Sequence, residues 1–288
     1  MEFSNHPVAR FTLTYSVTKY LELSNNPVAR STLIKNLNES KTEVVSNESL
    51  KCNPRRRIAF LKNHKCASTT IQNILLRYGL ANNLNFVLPS KGPHLGENKP
   101  FERSMIRGTP WEKAGLQYHM FLSHTIWNHL EIAITLKDLG DVFYFSIVRD
   151  PVELFRSWWD YYNLEKRYNQ TLEKYASIAA KHDNKTVEKR PPGFNQMLYD
   201  FGLPYKDMDD RIRVMNKIKT IDETFDLILL ADKDYFNDSI ILLKDALCWD
   251  NQDMINFQLN SKNEKLVSSL SPTATQSLKG NNNSLIIE

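Results

Sequence analysis

Apolar residues recur along this chain in two alternating rhythms. Ile58 to Leu61 make a short unbroken apolar run, whereas Ile71, Ile74, Leu75 and Tyr78 fall at the spacing of one helix face. The pattern predicts a buried strand over 58–61 and a helix beginning near Ser68. Asn85 to Pro89 reads as a second strand ended by proline, and Tyr118 to His124 as a third whose end exposes His124. A helix is predicted around Trp127 to Leu136. Val142 to Val148 is almost continuously apolar, as in a strand buried on both faces. After it, Asp150 is a natural N-cap, Pro151 a natural first helical residue and Glu153 the acid of a capping box. In that helix Phe155, Trp158, Trp159 and Tyr162 share one aromatic face, expected in the core, while Ser157 and Tyr161 point elsewhere. Residues 225–231 repeat the strand pattern. Residues 234–248 repeat the helical one, with Ile240, Ile241, Leu243, Leu247 and Cys248 expected against the sheet. Strand and helix thus alternate, which predicts an α/β fold: a central parallel sheet flanked by helices, with ligands at the carboxyl ends of the strands.

Composition changes the picture mainly at the ends. With 288 residues, 41% hydrophobic and 24% charged, the chain can bury one sizeable core and carry tails. Glu2 to Leu13 recurs as Glu22 to Leu33 with nine of twelve positions identical. Two polar copies are too few for a solenoid, so residues 1–50 read as a weakly ordered leader. Pro54 and the triplet Arg55, Arg56, Arg57 mark the edge of a domain spanning 51–258, the triplet reading as a solvated boundary. Residues 259–288 read as a polar tail in place of a longer domain end, and 165–190 as a polar helical excursion. The net charge of +4 is spread among 33 acidic residues, which excludes the dense basic patch of a nucleic-acid binder. Cys52, Cys66 and Cys248 are too few for a disulfide scaffold or a paired-cysteine zinc site; Cys248 is read as packed or disulfide-bonded. The chain shows neither an apolar run of membrane-spanning length nor the pattern of a signal peptide. Sequons at Asn38, Asn47, Asn169, Asn184, Asn237 and Asn282 are compatible with a secretory location.

The chemistry concentrates where the first strand empties into Lys62-Asn-His-Lys-Cys-Ala-Ser-Thr-Thr70. A helix start presents unpaired N–H groups and the positive end of the peptide dipole, so an anion sits there with little reorganisation. Lys62 and Lys65 add full charges. The lysine precedes the small residues, the reverse of the Gly-Lys-Ser/Thr order of nucleotide triphosphatases. A second basic point, Arg149, stands at the end of the 142–148 strand, eight residues before Ser157. Guanidinium forks suit a terminal phosphate, and the serine hydroxyl supplies another hydrogen bond.

Lys-x-Ala-Ser-Thr at a strand-to-helix turn resembles the 5′-phosphosulfate loop of sulfotransferases, and Arg149 with Ser157 resembles their 3′-phosphate site. Phe60-Leu-Lys-Asn-His-Lys, Arg149-Asp-Pro-Val-Glu-Leu-Phe, Tyr161-Tyr162 and the 225–250 stretch make the galactose 3-O-sulfotransferases the nearer resemblance, over about residues 55 to 258. The resemblance implies the three-layer phosphate-loop-like fold. It also implies sulfuryl transfer from 3′-phosphoadenosine-5′-phosphosulfate to the 3-hydroxyl of galactose on a glycolipid or glycoprotein, without a metal. A sugar hydroxyl needs a base, for which His64 is the first choice and His124 the alternative. Lys65, supported by Lys62, suits the charge that builds on the leaving bridging oxygen. Cys66, Ala67, Ser68, Thr69 and Thr70 are expected to hold the 5′-phosphate, Arg149 and Ser157 the 3′-phosphate, and Trp158, Tyr161 and Tyr162 the sugar. Golgi residence and membrane association are implied by the family alone. Other readings are a kinase-like phosphate-loop protein, a non-catalytic relative that binds only nucleotide or glycan, and a carbohydrate sulfotransferase with another acceptor.

Overall fold

The computed structural model describes residues 52–96, 98–106, 108–179, 195–256 and 270–279. The duplicated leader and the sequons at Asn38, Asn47, Asn184 and Asn282 lie outside the described residues, as do much of the polar tail and the end of the 165–190 excursion.

Five parallel strands form one sheet: β1 (Ile58–Leu61), β2 (Phe86–Val87), β3 (Met120–Phe121), β4 (Phe143–Val148) and β5 (Leu227–Leu230), in the order β2-β3-β1-β4-β5. The described helices are α1 (Ser68–Ala81), α2 (Pro110–Lys113), α3 (His129–Leu136), α4 (Pro151–Tyr161), α5 (Leu164–Tyr168), α6 (Leu172–Ala179), α7 (Gln196–Asp200), α8 (Arg211–Thr224), α9 (Phe236–Leu247) and α10 (Pro272–Lys279). Short 3-10 turns cover Arg103–Ile106 and Tyr205–Asp207.

The alternation of side chains along each strand builds three layers. Ile58 and Phe60 face Ile71, Ile74, Leu243 and Leu247 of α1 and α9. Ala59 and Leu61 face the opposite cluster, which holds Ile132 and Leu136 of α3 together with Trp127 and Phe225. Phe60 stacks on Phe145 at 4.8 Å between ring centroids. Gly79 lets α1 cross β2, since a Cβ there would lie 2.4 Å from the Phe86 ring.

Several expectations change in the folded chain. The strand expected over 118–124 is regular only at Met120–Phe121; beyond it the backbone turns to pair with the 94–101 loop, through bridges His94–His124 and Pro100–Ile126. The helix expected from Trp127 begins at His129, because Asn128 is extended at φ −133° and ψ 95° while Trp127 N–H is tied to the Asp200 carbonyl at 2.8 Å. Ile241 is 56% exposed rather than against the sheet, because α9 packs through Ile240, Leu243 and Leu247. Cys248 ends α9 in a left-handed conformation and forms a disulfide with Cys52. Asp150 caps α4 by accepting from Val152 and Glu153 N–H, both at 2.9 Å. The reciprocal arm of the capping box is absent, because the Glu153 carboxylate turns to Arg149 and Arg156.

The arginine triplet keeps Arg55 and Arg56 exposed, as a solvated boundary does, and also anchors three helix ends. Arg55 donates to the Ala246 carbonyl at 3.1 Å, Arg56 to Asn82 at 2.8 Å, and Arg57 to Leu136 and, at 2.9 Å, to Lys137. Each arginine therefore meets the carbonyl end of a different helix, α9, α1 and α3, where a cation is favoured by both hydrogen bonding and the peptide dipole. All three lie before β1 starts, at the sheet edge opposite its carboxyl ends.

A helical annex covers α4. Phe155 and Trp159 pack with Leu164, Leu172, Ala176 and Ala274, so α10, inside the expected polar tail, docks on α6. Ser271 N–H donates to Glu173 at 3.0 Å and fastens that contact. Among the described residues, no helix is long and apolar enough to cross a membrane.

Candidate active site

The loop between β1 and α1 is held from beneath by buried polar side chains. Asn63 is fully buried, and its Nδ2 donates to Ser146 Oγ at 3.2 Å and to the Ile147 carbonyl at 3.0 Å on β4. Ser68 Oγ donates back to the Asn63 carbonyl at 2.6 Å, so this hydroxyl closes the loop from inside. Lys65 and Ala67 adopt left-handed φ values of 59° and 52°. Such residues cost on the order of 1–3 kcal/mol each and persist where surroundings fix them. Here Asn63 and Ser68 provide that fixing. Ala67 is the N-cap of α1 and makes no side-chain cap bond; Thr70 N–H turns to the Ala67 carbonyl at 3.0 Å, which leaves the Ser68 and Thr69 amides for an incoming anion. The donor set around this turn fits a polyanion on three counts: the uncapped helix start, the Lys65 ammonium and the Arg149 guanidinium.

The left-handed turn also solves the problem of adjacent residues on an extended chain pointing apart. His64 turns toward the sheet's β3 side, while the Lys65 ammonium lies 3.7 Å from the Tyr161 ring centroid, a cation–π contact. Arg149 donates to the Lys65 carbonyl at 3.2 Å and sits 3.6 Å from Glu153, so the two predicted phosphate motifs meet. Ser157 follows Glu153 by one helical turn and shares its face of α4. Thr69 is exposed and Thr70 buried on the first turn of α1. Cys66 is fully buried, its thiol donates to the His64 carbonyl at 3.2 Å, and burial pushes its ionisation well above the ordinary range. Only its backbone is left for a ligand. Lys62 is also buried, and that burial lowers its pKa to about 8.

Three imidazoles gather at the carboxyl ends of β1 and β3. His64 stacks on His124 at 4.2 Å, and His124 on His94 at 5.2 Å. His124 Nδ1 donates to the Lys62 carbonyl at 2.7 Å. Burial first, then His64, Lys62 and His94 beside it, hold its pKa down at about 2. His64 Nδ1 lies 2.8 Å from Asp200 Oδ2. A carboxylate only accepts, so this nitrogen carries a proton, and in the neutral ring the lone pair is on Nε2. Among the described residues, no group of three or more His, Cys, Asp or Glu side chains is arranged to hold a metal ion.

His64 opens into a cavity of about 270 Å³ lined by His94, Asn98, Trp158, Gln196, Tyr199 and Tyr205, among others. Trp158 packs against the Phe155–Trp159 cluster, as its helical spacing predicts, and also lines the cavity, its ring 5.6 Å from His64. Tyr162, 5.0 Å from Trp158, is 45% exposed, and Tyr161 is more exposed still, whereas Trp159 takes the core position. The structure thus brings together His64, Lys65, His124, Arg149, Trp158 and Tyr161. His94, Asn98, Gln196, Tyr199, Asp200 and Tyr205 had no sequence signal of their own beyond the length of the 90–117 loop and the i, i+4 spacing of Gln196 and Asp200.

A family model described as galactose-3-O-sulfotransferase matches residues 10–284 of the chain. Galactose-3-O-sulfotransferase 2 of Mus musculus is 33% identical over 233 residues, covering 77% of this chain and 57% of that protein. Galactosylceramide sulfotransferase of Homo sapiens is 28% identical over 226 residues, covering 76% and 52% respectively. Galactose-3-O-sulfotransferase 4 of Homo sapiens is 28% identical over 279 residues, covering 73% and 56%. The chain spans about half the length of these curated relatives.

Proposed function

Because the chain belongs to the galactose-3-O-sulfotransferase family, we propose that it moves a sulfuryl group from 3′-phosphoadenosine-5′-phosphosulfate to the 3-hydroxyl of a galactose residue on a glycolipid or glycoprotein glycan. The observation that carries this reading is the placement of His64 between two features. On one side is the uncapped start of α1; on the other is a cavity with an aromatic wall.

The donor supplies an already activated sulfuryl group. Lys65, Arg149, Ser157, Thr69, Thr70 and the first amides of α1 would hold its phosphates, and the Lys65 ammonium would neutralise the charge that grows on the bridging oxygen as the sulfur–oxygen bond breaks. His64 Nε2 takes the proton from the acceptor hydroxyl as the new oxygen–sulfur bond forms, leaving an imidazolium. His124 is a poor substitute, since a group held near a pKa of about 2 has little affinity for that proton. Its place in the stack instead supports one face of the His64 ring, at 4.2 Å between centroids.

The cavity volume is below the roughly 300–1,000 Å³ of sites for drug-sized ligands and matches a single sugar ring. Trp158 offers an apolar face to such a ring, and Asn98, Gln196 and His94 offer polar edges. The Cys52–Cys248 disulfide supports maturation in an oxidising compartment, in keeping with a Golgi location.

The test is transfer of labelled sulfate to a panel of β-galactosides that includes lipid and glycan acceptors, with nucleotide binding measured alongside. His64→Ala is expected to lower kcat by at least about 10²-fold, and Lys65→Ala by about 10²–10³-fold. Full activity in His64→Ala would return the base to His124, and absence of nucleotide binding by the intact chain would overturn the reading.

A further inference from the structure

The Asp200 carboxylate is buried, with 1% of the residue exposed, and both of its oxygens are committed. Oδ2 accepts two N–H groups of one residue, His64 N at 2.9 Å and His64 Nδ1 at 2.8 Å. Oδ1 accepts from Gln196 Nε2 at 2.8 Å, one turn earlier on α7. Tyr205 in turn donates to Gln196 Oε1 at 3.3 Å. The backbone beneath is fixed as tightly. The Asp200 carbonyl receives Trp127 N–H at 2.8 Å, and Gly202, at φ +90°, lets the chain pass so close that a Cβ would stand 2.5 Å from the Trp127 carbonyl oxygen.

A buried carboxylate is costly unless it is paired and hydrogen-bonded, and half of this one is spent on His64. Two bonds from one oxygen to one residue fix both the start of the loop turn and the rotation of the imidazole. We infer that Asp200, held by Gln196, is the positioning residue of His64: it keeps the proton on Nδ1, directs Nε2 into the cavity, and sets a negative charge against the imidazolium formed on proton transfer. Gln196 and Tyr205 also line that cavity, so the groups that orient the base are the ones an acceptor touches. The role rests on His64 acting as the base.

The experiment compares Asp200→Asn and Gln196→Met with the unaltered chain, each alone and combined with His64→Ala. It reads kcat, KM for the acceptor, affinity for adenosine 3′,5′-bisphosphate, and the ¹⁵N resonances of the histidine rings. Asp200→Asn keeps the shape and is expected to lower kcat by about 10²-fold while nucleotide affinity stays within about twofold. Added to His64→Ala it should cost less than about twofold, because residues that act as one unit are not additive. Gln196→Met leaves both bonds to His64 in place and should show a smaller loss with the same dependence on His64. An equal loss in both backgrounds would make Asp200 a packing residue and overturn the inference. If the unaltered chain transfers no sulfate, the proposed function fails, and the ring spectra decide the positioning role separately. For that reading a third variant, Asp200→Ala, removes the acceptor altogether: His64 should be in the Nδ1–H form in the unaltered chain and shift toward a mixture in Asp200→Ala, and identical spectra would overturn the role.

Discussion

His124 shows how one side chain acquires a property that its type does not have. It lies between two other imidazoles and donates its only N–H to the Lys62 carbonyl. Between the ordinary value of ~6.5 in the unfolded chain and the folded value of about 2, the unfolded state binds a proton that the folded state refuses. Stability contributed by this residue is therefore complete above about pH 6.5 and falls as the solution is acidified, by up to about 1.4 kcal/mol per pH unit. Urea unfolding at pH 7, 6 and 5 is expected to show this slope, and His124→Phe to flatten it. An unchanged slope would place the acid sensitivity elsewhere. His64 differs from its neighbour in bonding the Asp200 carboxylate, at 2.8 Å from Nδ1, and in lining the cavity. Both histidines and Lys65 are legible in the sequence; the turn at Lys65, whose left-handed φ separates the two adjacent side chains, is not.

The elements of this protein are set largely by their ends. Asp150 caps α4 and, by doing so, fixes where β4 stops and where Arg149 stands. Asp150→Ala is expected to cost about 1 kcal/mol of stability and to weaken nucleotide binding, read by urea unfolding and by titration with adenosine 3′,5′-bisphosphate. Loss of stability with unchanged binding would separate the cap from the placement of Arg149. The capping signal was legible because Asp-Pro at a strand end is local chemistry. The outcome for Glu153 was not, since its choice between the Asp150 amide and two arginines depends on Arg149 and Arg156 both reaching it. The arginine triplet follows the same logic. Its charge was visible, but three helix ends had to be brought to one edge of the sheet before each guanidinium had a carbonyl to meet.

At the scale of the molecule, the start of the domain is sewn to the end of α9. Cys52 bonds Cys248, Arg55 N–H donates to the Leu247 carbonyl at 2.9 Å, and Trp249 Nε1 donates to the Arg55 carbonyl at 3.1 Å. The bridge closes a span of 196 residues, so it restricts the unfolded chain over almost the whole domain. Cys248→Ser is expected to lower stability by about 2–4 kcal/mol while leaving nucleotide affinity intact, because the bridge lies at the sheet edge away from the site. Denaturant unfolding with and without reductant checks this, and a matching loss of binding would show that the staple also shapes the loop. The sequence by itself determined the strand and helix periods, the start of α1 and the order of the two basic strand-end motifs, because each is written within a few neighbouring residues. Only the tertiary structure decided that Asp200, 136 residues from His64, is its partner, and that Trp158, at the edge of a core cluster, also forms part of the cavity wall. Those outcomes depend on how the segments after β3 and before α8 return to the sheet, which no local period encodes.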